Sequence, residues 1–200
     1  SLLPQSVLAL TATAAPSVQR DICQVLHLNA DKDVHIVPSR RDNLSYFTHV
    51  IDHEEKRHEK ILELLQSFQS SSNHSRQTET KDSSSNSGGV RKKLDCTIVY
   101  VWRRDEASSL SSFLQGSGIS AGCYHAGMTP DQRMNAQEAF FRGNTSVMIA
   151  TVAFGMGVDK ADVRNVLHSS MPKSLENYLQ ETGRAGRDGW PACCHLVLCK

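Results

Sequence analysis

The segment Gln180-Glu181-Thr182-Gly183-Arg184-Ala185-Gly186-Arg187-Asp188-Gly189 holds the most specific chemistry in the chain. Gln180, Arg184 and Arg187 are spaced i, i+4 and i+7, so a helix running through them projects all three from one face. Gly183 and Gly186 let a neighbouring backbone come close. Two guanidiniums brought to one point suit a phosphoryl anion, because the planar fork stays charged and donates two parallel hydrogen bonds. A surface helix end whose arginines answer the helix dipole is the alternative. It accounts for neither the paired glycines nor the neutral Gln180.

Three further segments carry weaker signals. Thr11-Ala12-Thr13 offers hydroxyls that can bond a backbone or phosphate oxygen, or simply cap a strand-to-helix turn. Tyr124-His125-Ala126-Gly127-Met128 supplies two planar rings and a glycine that permits close approach, although a lone histidine is usually structural. In the stretch Ala150 to Lys160, Gly155 and Gly157 can aim amide donors at an anion. Gly-x-Gly is also common in plain turns, and this stretch is not a Walker phosphate loop. Metal chemistry is not expected. His53 and His58 are one residue too far apart to share a helical face as zinc ligands, and Cys193, Cys194, His195 and Cys199 lack a Cys-x-x-Cys pair and alternate like a strand.

These segments need elements to position them. The periodicity predicts a strand at Val7–Leu10, a helix opened by Pro16 with Val18, Ile22, Val25 and Leu26 in helical register, and a strand at Val34–Val37. An apolar stretch from Tyr46 to Ile51 precedes a helix with Ile61, Leu64, Leu65 and Phe68 on one face, and Glu54 to Lys60 read as its charged solvent side. From about 67 to 93 the chain is Ser-rich and ends in Gly88-Gly89 and Arg91-Lys92-Lys93. That composition has too little apolar surface to offset ordering entropy and predicts a flexible surface insertion. Strand and helix then alternate: strand 96–101, helix 105–115, strand 119–124, helix 130–141, strand 146–150, strand 163–168, a helix from Ser174 and a strand 195–199. This rhythm predicts an α/β fold with a parallel sheet, whose ligands bind at the carboxyl ends of the strands, and all four chemical segments are expected there. Thr129, with Pro130 after it and Gln132 three places on, predicts a capped helix start.

Composition narrows the classes. Two hundred residues suffice for one domain and a fragment of a neighbour but not for two large catalytic domains. Lys+Arg is 22 against Asp+Glu 21, a formal charge of +1, so binding to a polyanion must rest on local patches. Six cysteines without a charged-then-apolar leader predict reduced thiols in an intracellular protein. The chain opens close to a strand with no Met start, which reads as a fragment.

At this point the sequence resembles the second lobe of superfamily-two helicases, which carries Gln-x-x-Gly-Arg-x-Gly-Arg, here Gln180 to Arg187. The strings Ala150 to Lys160, Asp162-Val163-Arg164, Pro172, Tyr178 and Gln180 to Gly189 look like the RecQ DNA helicases in particular. So do Leu10 to Ala14, Arg41-Asp42-Asn43-Leu44 and Tyr124 to Met128. The resemblance implies a RecA-like (P-loop NTPase type) parallel sheet with helices on both faces. Residues 1–38 would be the tail of a first lobe and 39–200 the second lobe. It implies ATP and Mg2+ bound mainly through the first lobe, DNA as partner, 3′-to-5′ unwinding, and a nuclear or nucleoid location. Arg187 and Arg184 are then expected as arginine fingers oriented by Gln180, with Asp159 and Gly157 at the nucleotide. Thr11, Thr13, Arg104, His125, Gly127, Thr151, Gly155 and Lys160 are expected to grip or couple to the DNA strand.

Departures matter. Tyr100-Val101-Trp102-Arg103-Arg104 stands where many RecQ proteins have Tyr-Cys-x-Ser-Arg, so a serine contact to DNA does not carry over, and Asp42 stands where the family often has proline. Neither Gly-x-x-x-x-Gly-Lys nor Asp-Glu-x-His occurs in the sequence, so this stretch alone is expected to be inactive. A superfamily-two RNA helicase lobe and a non-catalytic DNA-binding fragment of a truncated motor are the alternatives.

Overall fold

Short apolar runs buried from both sides form the centre of the sheet. A computed structural model describes residues 6–11, 15–36, 41–71, 94–155 and 159–200. Its strands are β1 (Leu44–Ile51), β2 (Thr97–Tyr100), β3 (Ala121–Tyr124), β4 (Val147–Ala150), β5 (Asn165–His168) and β6 (Ala192–Cys199). They form one sheet in the order β1-β6-β5-β2-β4-β3, and every pairing is parallel. All residues of β2, β4 and β5 are buried, as near-continuous apolar runs in a doubly covered parallel sheet should be.

Five helices accompany the strands: α1 (Pro16–Leu26), α2 (Arg57–Ser71), α3 (Arg104–Gly116), α4 (Pro130–Phe141) and α5 (Leu175–Thr182). Alternation along each strand divides the core in two. On one face Val99, Ile149, Leu167 and Val197 meet Ile61 and Leu65 of α2 and Leu110 and Leu114 of α3. On the other, Ile98, Met148, Val166 and Cys194 meet Phe140 of α4, Phe154 and Ala185. The Tyr178 ring of α5 lies 5.0 Å from the His168 ring on this second side. The predicted α/β architecture with helices on both faces is therefore present. The start of α4 also follows its sequence: Thr129 Oγ1 accepts from the Gln132 amide at 3.2 Å while Gln132 Oε1 accepts from the Thr129 amide at 2.9 Å.

Other expectations fail. Residues 7–10 and 34–36 form no strand, because alternation becomes a strand only with a ladder partner and neither segment pairs with a sheet edge. Leu8 and Leu10 are 82% and 85% exposed, and α1, although opened by Pro16 as predicted, buries none of its residues. The charged stretch before α2 is not wholly a solvent face: Arg57 is buried and donates to both Glu54 carboxylate oxygens and to the Val197 carbonyl. Helix α2 continues to Ser71, past the expected start of the insertion. The remainder of that insertion, with Arg91-Lys92-Lys93, lies outside the described residues, as does Val37. Among the described residues no helix is long and apolar enough to cross a membrane.

Candidate functional site

Helix α5 starts where the Ser174 hydroxyl accepts from the Asn177 amide at 3.2 Å, and it stops at Thr182 with Gly183 as its cap. The arginines that follow therefore sit on a turn, and the expected single helical face through Gln180, Arg184 and Arg187 does not form. Gly186 has φ +57, a left-handed conformation that no continuing helix contains. Gln180 remains exposed in the last turn of α5. Arg184 points inward, is only 5% exposed, and lies beside Tyr100, whose hydroxyl is pushed above its ordinary range by burial against the opposing pull of that guanidinium. Arg187 points outward. Its Nη1 donates to Asp159 Oδ1 at 2.7 Å, and the Asp159 side chain is 83% exposed, so this pair meets solvent.

The position of the turn corrects a second expectation. The Gly186 amide donates to the Val163 carbonyl at 2.8 Å and the Asp188 amide to the Ala161 carbonyl at 3.3 Å, both just before β5 begins. The segment after the helix carries the turn there, since Glu181 in the last turn of α5 still packs on His168 at the end of β5, whereas Gly186 and Asp188 reach the residues before it.

Two braces hold the turn. Arg41 donates to the carbonyls of Gly183 at 3.4 Å, Ala185 at 2.7 Å and Gly186 at 2.8 Å, while the Asn43 amide donates to Gly186 at 2.8 Å and Trp190 at 2.9 Å. From the other side Arg164 Nη2 donates to both Asp188 oxygens at 2.6 Å. Burial alone would raise the Asp188 carboxyl, but Arg164 and the Trp190 amide hold it below the usual carboxylate value. Sequence reasoning quoted Arg41-Asp42-Asn43 and Asp162-Val163-Arg164 only as strings and gave them no task.

A second group gathers at the carboxyl edge. Arg104 opens α3, and a side chain added at Gly127 would lie 3.2 Å from His125 Nδ1 and 3.3 Å from Arg104 Cδ, so these three predicted residues are neighbours. His125 Nε2 faces Ser108 Oγ at 3.3 Å. Thr151 follows β4, is buried, and receives the Phe154 amide on its carbonyl, while Gly155 ends the short turn that begins at Val152. Trp102, absent from the expected set, is 60% exposed at the end of β2, yet its indole nitrogen donates to the Met171 carbonyl at 2.8 Å. A large exposed ring fixed in orientation was the signal to find.

The structure does not bring every candidate to one of these groups. Lys160 is bonded to the Phe141 carbonyl at 3.3 Å and Asp162 at 2.9 Å, which places its charge at the C-terminus of α4. Thr11 is exposed in the N-terminal segment. Thr13 and Gly157 lie outside the described residues. Among the described residues no group of three or more His, Cys, Asp or Glu is arranged to hold a metal ion.

Near the carboxyl edge His168 Nε2 and Glu181 Oε2 approach to 2.8 Å, both buried, with the Tyr100 ring stacked on His168 at 5.3 Å. This pair, also missed from sequence, fixes the last turn of α5 to the end of β5.

A parallel sheet covered on both faces, with an arginine turn at one edge and a histidine-arginine cluster at the other, defines the class as a RecA-like motor lobe. Residues 88–189 match the family described as "Helicase conserved C-terminal domain". The chain belongs to that family, as a lobe of RecQ type. It is 36% identical over 192 residues to "ATP-dependent DNA helicase RecQ" of Bacillus subtilis (strain 168), covering 96% of this chain and 28% of the relative. It is also 36% identical over 194 residues to "RecQ-like DNA helicase blm-1" of Caenorhabditis elegans, covering 97% of this chain and 17% of the relative. The chain thus spans between a sixth and a third of these relatives. Among solved structures, S. cerevisiae Dbp5 bound to RNA and ADP BeF3 superposes with a TM-score of 0.71 at 16% identity, covering 95% of this chain and 44% of that one. The E. coli DEAD-box protein SrmB gives 0.61 at 22% identity, covering 80% and 79%. These two likenesses concern the fold.

Proposed function

We propose that this chain is the second motor lobe of an ATP-dependent 3′-to-5′ DNA helicase, working against a first lobe whose C-terminal tail is residues 1–38. Val7, Leu8, Leu10, Val18, Val25 and Ile36, all exposed on this lobe, support that division. The observation that carries the reading is Arg187, which stands on a braced turn and holds the largely exposed Asp159 at 2.7 Å. The residues present fit one side of a nucleoside triphosphate. Arg187 would exchange Asp159 for the terminal phosphate, Gln180 would add a neutral donor, and Asp159 would then be released to accept from a ribose hydroxyl. Arg184, being buried, acts as support for the turn. ATP supplies the free energy of phosphoryl transfer, and Mg2+ is to be held chiefly by the first lobe. Arg187 stabilises charge that develops as the phosphoryl group passes to water.

At the other edge Arg104 and His125 are proposed to contact the DNA strand, with Gly127 admitting its backbone. Trp102 offers a base a fixed ring in place of the serine contact. Thr151 and Gly155 are proposed to couple this edge to Asp159. A role in repair, recombination or replication, in the nucleus or the bacterial nucleoid, follows from the RecQ likeness.

Arg187→Ala in the two-lobed protein tests the reading. ATP binding should persist while hydrolysis falls by about 10³ to 10⁵, and Arg187→Lys should restore little because an ammonium lacks the two-donor fork. Near-normal turnover by a folded Arg187→Ala protein would remove the assignment.

A further inference from the structure

We infer that Arg41 and Asn43 are positioning residues for hydrolysis: they set the geometry of the arginine turn from the segment by which the chain enters the lobe. The inference rests on the assignment of Arg187 above. Five hydrogen bonds, from 2.7 to 3.4 Å, run from these two side chains to the carbonyls of Gly183, Ala185, Gly186 and Trp190, residues 142 to 147 positions later. Arg41 Nε also donates to Asn43 Oδ1 at 3.3 Å, which locks the two side chains into one unit.

The residue types match the task. After Thr182 the helical ladder ends, and the carbonyls of the turn lose their intrahelical donors. A guanidinium spreads its donors over three nitrogens in a rigid plane, so Arg41 can span three of those carbonyls, while a lysine's three donors diverge from a single nitrogen. Asn43 needs a two-donor amide, since it bridges Gly186 and Trp190, the two ends of the Arg187 loop. Gly186 completes the fit: a side chain there would lie 2.5 Å from Asn43 Nδ2, so the second glycine of the element is the space the asparagine occupies. Neighbouring Arg187 is carried on a backbone whose carbonyls at Gly183, Ala185 and Gly186 are held by this unit. Arg41 and Asn43 lie immediately before β1, which is paired along its whole length with β6, so the unit is itself rigidly mounted. Neither side chain is placed to touch nucleotide; both act through the turn.

The test is a double-mutant cycle on ATP hydrolysis in the complete two-lobed protein, with variants Arg41→Ala, Arg41→Lys, Asn43→Ser and Arg187→Ala. A finger displaced by roughly an ångström loses on the order of a hundredfold in rate. Arg41→Ala and Asn43→Ser should therefore lower kcat by about ten- to a hundredfold while the ATP dissociation constant changes less than about threefold. Arg41→Lys should not recover the rate. In the Arg41→Ala background, adding Arg187→Ala should cause much less further loss than it does alone, because the two act on one interaction. Melting curves separate folding from function, and Asn43→Ser, which keeps the guanidinium, serves if Arg41→Ala does not fold. Losses that multiply independently, or folded Arg41 and Asn43 variants with normal kcat, would overturn the inference. Normal hydrolysis by Arg187→Ala would instead overturn the finger assignment on which it rests.

Discussion

Gly186 separates conformation from chemistry at the scale of a single residue. Its φ of +57 is disfavoured for any residue with a side chain, and a Cβ would meet Asn43 Nδ2 at 2.5 Å and the Trp190 carbonyl at 2.8 Å. Gly186→Ala should destabilise by about 2 to 4 kcal/mol, combining about 1–2 for the backbone with the loss of one or two hydrogen bonds at about 1 each. Gly116→Ala is the control: it ends α3 with nothing within 4 Å of the added carbon and no positive φ, and should be neutral or slightly stabilising. Thermal denaturation of both variants checks this, and equal melting temperatures would show that the turn tolerates a side chain. The same residue explains what the sequence could and could not reveal. The identity and spacing of Gln180, Arg184 and Arg187 suggest phosphate chemistry in the sequence. Their disposition was not legible there, because Gly183 stops the helix and the partners that shape the turn lie some 140 positions away.

Among the elements, the edge pair β1 and β6 carries a titratable unit that function does not use. His49 Nε2 and His195 Nδ1 are 3.0 Å apart, with Phe47 stacked on the His195 ring at 5.1 Å and Phe68 at 4.8 Å. Burial, reinforced by neighbouring His49, pushes His195 down to about 4. Burial and then Lys60 lower His49, against the opposing effect of Glu63. Both rings are thus neutral in the fold, whereas an unfolded histidine titrates near about 6.5. The unfolded chain takes up protons first as pH falls, so the stabilisation is fully present above about 6.5 and is lost between there and about 4. Melting temperature should drop across that window, and His195→Phe, which retains an aromatic ring, should flatten the drop. Identical pH profiles for the two proteins would contradict the assignment. Most elements were readable beforehand: the capping box fixed the start of α4, and apolar runs marked β2, β4 and β5. Residues 7–10 and 34–36 misled because a short apolar run or an alternation records local hydrophobicity and says nothing of a partner. The placement of β6 between β1 and β5 was equally hidden, since strand order depends on long-range pairing that no local pattern encodes.

For the whole molecule, the chemistry is divided. The backbone of the arginine turn from Gly186 to Asp188 and the Arg104–His125 cluster lie toward opposite edges of one sheet, which suits the proposed division between a nucleotide and a DNA strand. The sequence has no phosphate loop, and among the described residues no carboxylate cluster can hold a metal. The account therefore makes ATP turnover a property of two lobes together. Steady-state ATPase, measured with and without single-stranded DNA on this chain alone and on the two-lobed protein, tests that most directly. The prediction is no turnover above background from the chain alone and DNA-stimulated turnover from the two-lobed protein. DNA-stimulated hydrolysis by the isolated chain, or none by the two-lobed protein, would contradict it.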